Sequence, residues 1–126
     1  MIAGKKMGIY MDHAHAELMQ FVSDDIQETS VKSDFTHQDK VHTLNRSEVT
    51  MHHKEQHEQA QYYKNLADVI REQDTVILFG PTEAKEELYN TIKDNPLFSD
   101  VKIRIHKTDK LTEHQKHAFV KDYFEQ

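Results

Sequence analysis

Thr75-Val-Ile-Leu-Phe-Gly-Pro-Thr-Glu-Ala-Lys-Glu-Glu-Leu-Tyr89 joins an apolar run to an amphipathic segment through a Gly-Pro turn. The four large apolar residues from Val76 to Phe79 place hydrophobic side chains on both faces of a strand, so both faces need cover from another layer. Behind the turn, Ala84, Leu88 and Ile92 recur every four residues, which is helical spacing. The stretch therefore predicts a buried parallel strand that leads into a helix.

The chain after this strand predicts a bounded helix and a further strand. Pro81 suits the first helical turn, and Asp94-Asn95-Pro96 supplies a stop signal. Over residues 101–106 apolar side chains alternate with basic ones, which predicts a strand buried on one face near the margin of the sheet. Thr112-Glu-His-Gln115 has the form of a capping box and predicts the start of a closing helix. The apolar side of that helix is formed by Phe119, Tyr123 and Phe124.

The chain before this strand predicts three strands and a long helix. Residues 7–11 and 15–22 read as strands around a short turn at 12–14, and residues 26–31 read as a third strand at an edge. Ser47 is a candidate N-cap for a helix that continues to Asp74. Residues 32–58 are polar, and we expect a loop and a frayed helix start there. The helix residues with core-facing spacing are Ala60, Tyr63, Leu66, Ala67 and Ile70.

This order of elements, β-β-β-α-β-α-β-α, predicts an α/β fold with a mixed sheet. Strands joined by tight turns are antiparallel neighbours, whereas strands joined by helices are parallel with right-handed crossovers. The strand order that satisfies both halves is 3-2-1-4-5, with helices on both sides. This is the ribonuclease H-like three-layer arrangement.

Length and composition predict one cytoplasmic domain. The 126 residues are enough for a single core. The first residues include two lysines, but no apolar stretch typical of a signal peptide follows them, and nothing reaches membrane length. The chain contains no cysteine, so thiolate chemistry is excluded, and we expect no cofactor. A formal charge of −6 argues against nonspecific binding to nucleic acid.

The predicted strand order places one crevice at the carboxyl ends of the central strands. In open α/β sheets ligands favour this position. Asp12 and His13 should lie there beside Gly80-Pro81-Thr82. The start of the following helix offers backbone amides to an anion, and Lys85 lies one turn in. A structural strand-to-helix turn is the competing interpretation, because the chain has only three glycines and no Lys-Ser/Thr pair after the turn.

Two metal-dependent alternatives are open. Asp12 has the position of a metal-binding carboxylate in ribonuclease H-like nucleases, but the fourth strand ends without an acid, and nothing in the sequence places other acids near it. A turn-forming role for Asp12 is the simpler interpretation. His53 and His57 lie four residues apart on one helical face and could share a transition metal, although no third ligand is evident. We therefore predict no metal ligands. The other acids considered for a nuclease site are Glu55, Glu58 and Asp109.

Positive charge concentrates in one stretch near the last strand. A patch of this kind could contact RNA phosphates or an acidic protein. Charges on an edge strand also protect the sheet from edge-to-edge aggregation, which is the competing interpretation. The basic residues of the patch are Lys102, Arg104, Lys107 and Lys110, with His106 on the same strand face as the first two.

Three segments resemble one family. Val76 to Tyr89 resembles the middle domain of archaeal and eukaryotic peptide-chain release factors and of the ribosome-rescue protein Pelota, in which a buried strand ends in a Gly-Pro turn before a Thr-Lys-Glu-rich helix. Gly8-Ile-Tyr-Met-Asp-His13 and Asp109 to Gln115, leading to Phe124, resemble short bacterial proteins related to those factors, sometimes labelled translational machinery proteins. The resemblance covers most of the chain except residues 32–58. It implies a ribonuclease H-like fold.

The resemblance also implies a function through binding. Release factors hydrolyse peptidyl-tRNA through a Gly-Gly-Gln loop, and this chain has no Gly-Gly pair. We therefore expect a noncatalytic, stand-alone middle domain that acts by binding to the ribosome or to RNA. The alternatives are a metal-dependent nuclease that uses Asp12 and a histidine-rich metal-binding module.

Overall fold

The sheet has the strand order that the sequence predicts. A computed structural model describes residues 5–22, 25–32 and 48–125, with the backbone alone for residues 48–58. Its five strands lie in the order β3-β2-β1-β4-β5. The strand β2 is antiparallel to its neighbours β3 and β1, and β4 is parallel to its neighbours β1 and β5. The strands are β1 (Lys6–Met11), β2 (His15–Val22), β3 (Asp25–Lys32), β4 (Thr75–Gly80) and β5 (Lys102–Lys107).

Helices cover both faces of this sheet. The described residues form three α-helices, α1 (Glu48–Ile70), α2 (Ala84–Ile92) and α3 (Glu113–Glu125), and a short 3₁₀ helix, Pro96–Phe98. None of them combines the length and the hydrophobicity needed to cross a lipid bilayer. The predicted loop before α1 and the candidate N-cap Ser47 lie outside the described residues.

The strand β4 is buried on both faces, as its sequence predicts. Val76 and Leu78 belong to the core formed with α1 and α2, whereas Ile77 and Phe79 belong to a second core beneath α3. All four side chains are fully buried. Alternate side chains of a strand point to opposite faces, so a continuous apolar run requires cover on both sides. The three-layer architecture is therefore confirmed.

The capping box of α3 forms as predicted. The Thr112 hydroxyl accepts a hydrogen bond from the Gln115 backbone N–H at 3.2 Å, and the Gln115 side chain accepts one from the Thr112 N–H at 2.9 Å. These two bonds satisfy amide donors that the start of a helix leaves unpaired. They place the helix so that Phe119 stacks on Phe79 with 4.5 Å between ring centroids.

The first long helix differs from the prediction at its end and in its buried face. It ends at Ile70 rather than at Asp74, because the Asp74 N–H donates to the Lys5 carbonyl at 2.8 Å and its carboxylate accepts from the Lys5 N–H at 2.6 Å. These bonds join Asp74 to the start of β1.

The buried face of this helix also differs from the prediction. Ala60 is exposed rather than core-facing, and Tyr62, which is not among the residues predicted to face the core, is 1% exposed.

The second helix begins later than the sequence predicts. Pro81 lies before the helix, which starts at Ala84 with Glu83 at the N-cap. Gly80 has a positive φ of 146°, so the chain bends sharply there before the first helical turn forms. The predicted stop is confirmed, since α2 ends at Ile92 and the Asn95 side chain caps the 3₁₀ helix that follows.

Candidate functional site

A hollow of about 360 Å³ lies at the carboxyl ends of β1 and β4, where the crevice is predicted. Asp12, Pro81 and Thr82 line it, so the fold brings together three of the six predicted crevice residues. His13 and Lys85 are not among its lining residues, nor is Gly80, at the end of β4. The other residues that line the hollow are Tyr10, His15, Glu17, Lys110, Leu111 and Lys116.

Asp12 is engaged in the turn between β1 and β2. Its Oδ1 atom accepts hydrogen bonds from the backbone N–H groups of Ala14 and His15, each at 2.8 Å. Its backbone carbonyl accepts a third from the Tyr62 hydroxyl at 2.9 Å. Side chains of this kind stabilise tight turns by replacing a backbone acceptor. The observed contacts of Asp12 therefore match the turn-forming interpretation.

His13 turns away from the hollow towards α1 and α2. Its Nε2 atom lies 3.2 Å from one carboxylate oxygen of Glu87, and the Tyr63 hydroxyl donates to the other at 2.8 Å. The hydrogen bonds from Tyr63 and then from His13 lower the pKa of Glu87. Burial, followed by the hydrogen bond to Glu87, raises the pKa of Tyr63. His13 thus connects the β1–β2 turn to both helices.

The ammonium group of Lys85 interacts with neighbouring groups at the start of α2. Its side chain is 1% exposed, and its ammonium group donates to the Thr82 carbonyl and lies 3.4 Å from the Glu86 carboxylate. The Thr82 hydroxyl in turn accepts from the Ala84 N–H at 3.3 Å. In this structure the turn after β4 is held by its own side chains, and Lys85 does not face the hollow.

A buried ion pair, which the sequence does not predict, forms one wall of the hollow. Lys116 donates to Glu17 Oε1 at 2.7 Å and lies 4.4 Å from the centroid of the Tyr10 ring. The Tyr10 hydroxyl accepts from the Leu111 N–H at 3.1 Å. Burial lowers the pKa of Lys116, but its attraction to Glu17 and Glu113 outweighs burial and raises it overall. This pair fixes α3 against β2.

Glu17 retains one carboxylate oxygen without a hydrogen-bond donor among the described residues. Oε2 is buried, and the residue is 7% exposed. Burial raises the pKa of Glu17, and the neighbouring carboxyl groups of Glu113 and Glu28 add to the rise. A buried polar group left unpaired costs about 1–3 kcal/mol. The sequence shows that Glu17 shares a strand face with Met19. It does not show the groups around the Glu17 carboxylate, because Glu28, Glu113 and Lys116 lie on other elements.

Within the described residues, one group of three side chains has the proximity of metal ligands. It consists of Glu28 on β3 with Glu113 and His117 on α3. No such group that can be formed from the described residues includes Asp12. The backbone of α1 places His53 and His57 on one helical face, but their side chains lie outside the described residues, as do those of Glu55 and Glu58. The four-residue spacing of Glu113 and His117 was visible in the sequence.

The basic patch lies on the free edge of the sheet. Among the strands that the structure describes, β5 pairs only with β4, and Lys102, Arg104, Lys107 and Lys110 are all exposed. His106 differs from this patch because it packs against the rings of Phe119 and Tyr123, with centroids 5.8 and 5.4 Å away. Lys110 also lines the hollow, so the patch and the hollow are continuous.

A larger groove of about 580 Å³ lies between α1 and α2. Ala60 lines it, which explains why this residue has helical core spacing and is nevertheless exposed. Leu97, which is 60% exposed, forms part of its apolar wall. The other lining residues include Tyr63, Ala67, Arg71, Ile92 and Phe98.

Comparison with known proteins supports the fold. No protein-family model matches the chain, and no curated protein sequence matches it either. Among solved structures, Pelota from Archaeoglobus fulgidus is similar with a TM-score of 0.62 and 7% identity, over 97% of this chain and 32% of that protein. Pelota from Thermoplasma acidophilum is similar with a TM-score of 0.56 and 13% identity, over 87% of this chain and 30% of that protein. The chain thus spans about a third of these proteins and has the fold of a Pelota domain.

Proposed function

We propose that this chain is a noncatalytic domain related to the middle domains of release factors and Pelota, and that it associates with the ribosome or its RNA in the cytoplasm. The observation that carries the proposal is the fold likeness to archaeal Pelota over 97% of the chain. The segments that resemble the release-factor family form the central strands β1 and β4 and the start of α3. The likeness therefore extends through the middle of the domain.

The basic edge is the surface that we assign to RNA. Lys102, Arg104, Lys107 and Lys110 are exposed, and no carboxylate among the described residues lies within ion-pair distance of them. Cations in this position can neutralise phosphates, which is the main sequence-independent contribution to nucleic-acid binding. The formal charge of −6 opposes contact elsewhere on the surface. Together these charges favour one orientation of the domain on an RNA surface.

The hollow extends this surface towards the centre of the sheet. Lys110 belongs to both, and Pro81 and Thr82 also line the hollow. We assign the predicted crevice residues Asp12, His13, Gly80, Pro81, Thr82 and Lys85 to the rim and support of this contact. In this role Asp12 shapes the turn, and Lys85 holds the loop after β4.

Sedimentation of cell lysate through sucrose gradients tests the proposal. We expect the protein to comigrate with ribosomes at low salt and to move to the top of the gradient at high salt, because phosphate contacts weaken as salt rises. Replacing Lys102, Arg104, Lys107 and Lys110 by Gln should abolish comigration at low salt. The matched control replaces the exposed residues Lys5, Lys64, Arg71 and Lys93 by Gln, which removes the same number of each cation elsewhere.

Two results would contradict the proposal. The first is a wild-type protein that stays in the soluble fractions at both salt concentrations, including under translational stress. The second is an equal loss of comigration in the two quadruple variants, because this would show an effect of total charge rather than of the basic edge. Circular dichroism of both variants verifies that their folds are intact.

A further inference from the structure

A second polar cluster lies between the sheet edge β3 and the helix α3. Glu113 and His117 stand one turn apart on α3, and Glu28 faces them from β3, with one ligand atom of each within 4.8 Å of the others. His117 Nε2 lies 2.7 Å from Glu28 Oε1 and 3.8 Å from Glu113 Oε2. Ligand atoms around a tetrahedral zinc ion are about 3.4 Å apart, given metal–ligand distances of about 2.0–2.2 Å. Small side-chain rotations would therefore bring these atoms to coordination distance.

Glu17 is an independent indication of a ligand at this cluster. Its carboxylate shares the Lys116 ammonium group with Glu113, at 2.7 and 3.4 Å, and Lys116 binds only one of the two Glu17 oxygens. The other oxygen, Oε2, is buried and has no donor among the described residues. Ionised carboxylates cannot donate hydrogen bonds to one another. A bound cation would balance the negative charge of these carboxyl groups when they are ionised.

The charge and the donor atoms of the cluster identify the class of cation. Three carboxylates face one ammonium group, that of Lys116, which leaves two negative charges to be balanced. Carboxylate oxygens alone would suit Mg²⁺ or Ca²⁺, but an imidazole nitrogen favours transition metals. We propose that Glu28, Glu113 and His117 bind a divalent transition-metal ion such as Zn²⁺ or Mn²⁺, with the nearby Glu17 carboxylate adding negative charge beside the site.

The surroundings of the cluster suit such an ion. The side chains of Glu28, Glu113 and His117 are 30%, 61% and 37% exposed, so an ion reaches them directly from solvent. Lys116 lies 3.4 Å from Oε1 of Glu113, one of the three ligands, and helps to hold it in place, as partners of metal ligands commonly do. The bound ion would join the strand β3 to the helix α3. It therefore stabilises the folded chain, because it binds the folded state in preference to the unfolded one.

Calorimetric titration of the full chain with zinc, manganese and magnesium chlorides tests this assignment. We expect one Zn²⁺ per chain at this site, weaker binding of Mn²⁺, and no binding of Mg²⁺ at the same concentrations. Glu28→Gln and His117→Gln should each weaken Zn²⁺ binding by about tenfold or more. Both residues are partly exposed, so neither substitution should prevent folding, and the rise in melting temperature caused by Zn²⁺ should shrink in both.

Matched controls separate this site from other histidines and acids of the chain. His114→Gln changes an exposed histidine on the same helix, and Glu72→Gln changes an exposed acid far from the cluster, so both should retain wild-type affinity within about twofold. A His53→Ala/His57→Ala variant should also retain it. Absence of Zn²⁺ binding in the wild type overturns the assignment, and so does unchanged affinity in Glu28→Gln and His117→Gln. Loss of binding in the His53/His57 variant alone would place the metal on α1 instead.

Discussion

At the scale of single residues, Asp12 shows how one side chain organises a turn. The motif suggested either a metal ligand or a turn-former, and the three short contacts around it correspond to the second role. Its Oδ1 atom is shared by two backbone amides, those of Ala14 and His15. The position of Asp12 at the end of β1 is thus explained by local backbone requirements.

Replacement of Asp12 tests this role. Asp12→Ala should lower the free energy of unfolding by about 1–2 kcal/mol, because two backbone amides lose their acceptor. Asp12→Asn should retain most of the stability, since the amide oxygen still accepts. Urea denaturation measures both, with Asp100→Ala as a control for loss of an exposed acid. Equal stability of Asp12→Ala and the wild type would show that these hydrogen bonds contribute nothing.

At the scale of the elements, Gly8 permits the close approach of α3 to the sheet. A Cβ atom at Gly8 would overlap the side chain of Val120, which is fully buried under β1. At Gly80, by contrast, a Cβ would lie 2.6 Å from the Met11 carbonyl oxygen, and φ is positive. A side chain can be shortened by mutation, whereas a backbone atom cannot. The two glycines therefore respond differently to compensation.

A double-mutant cycle measures this difference. Gly8→Ala should destabilise the fold by about 1–3 kcal/mol through overpacking, and its cost should fall by at least about 0.5 kcal/mol in a Val120→Ala background. Gly80→Ala should be destabilising to the same extent in both backgrounds, because its clash is with the backbone of Met11 on the neighbouring strand β1 and not with Val120. Urea denaturation of the variants supplies the energies. An unchanged cost of Gly8→Ala in the Val120→Ala background would contradict the proposed contact.

At the scale of the whole molecule, Glu87 connects three parts of the fold. It lies on α2, accepts a hydrogen bond from Tyr63 of α1, and pairs with His13 of the β1–β2 turn. These contacts lower its pKa below the ordinary value of 4.5, the bond from Tyr63 having the largest effect. A carboxyl group whose pKa is lowered by folding stabilises the folded state at pH values above 4.5, the ordinary pKa that it has in the unfolded chain. This stabilisation is lost as the pH falls from 4.5 through the pKa of the folded state.

The pH dependence of unfolding tests the contribution of Glu87. Between about pH 7 and about pH 4, the free energy of unfolding should fall less in Glu87→Gln than in the wild type, because the variant has no carboxylate to protonate. Urea denaturation at both pH values gives the two differences. Glu83→Gln, on the turn before Glu87, serves as the control and should follow the wild type. If the free energy of unfolding falls equally with pH in the wild type and in Glu87→Gln, Glu87 does not contribute to the loss of stability in acid.

Much of the fold could be predicted because its signals are local. The apolar run from Val76 to Phe79 requires two covered faces, and short turns between the first three strands require antiparallel neighbours. These constraints lead to the observed strand order. The end of α1 was predicted four residues late, because Asp74 is compatible with a helix by propensity and is withdrawn from it only by its bonds to Lys5.

The candidate sites were only partly predictable. The sequence by itself determined the position of the hollow and of the basic edge, since strand order and strand direction decide which residues meet at the carboxyl ends of β1, β4 and β5. Only the tertiary structure decided that Glu17, Glu28, Glu113, Lys116 and His117 form one cluster. These residues come from three elements, and their meeting depends on strand register and on the rotation of α3 about its axis. Periodicity along the chain indicates which face of each element is apolar, but the meeting of particular polar side chains from distant elements depends on how those faces pack together.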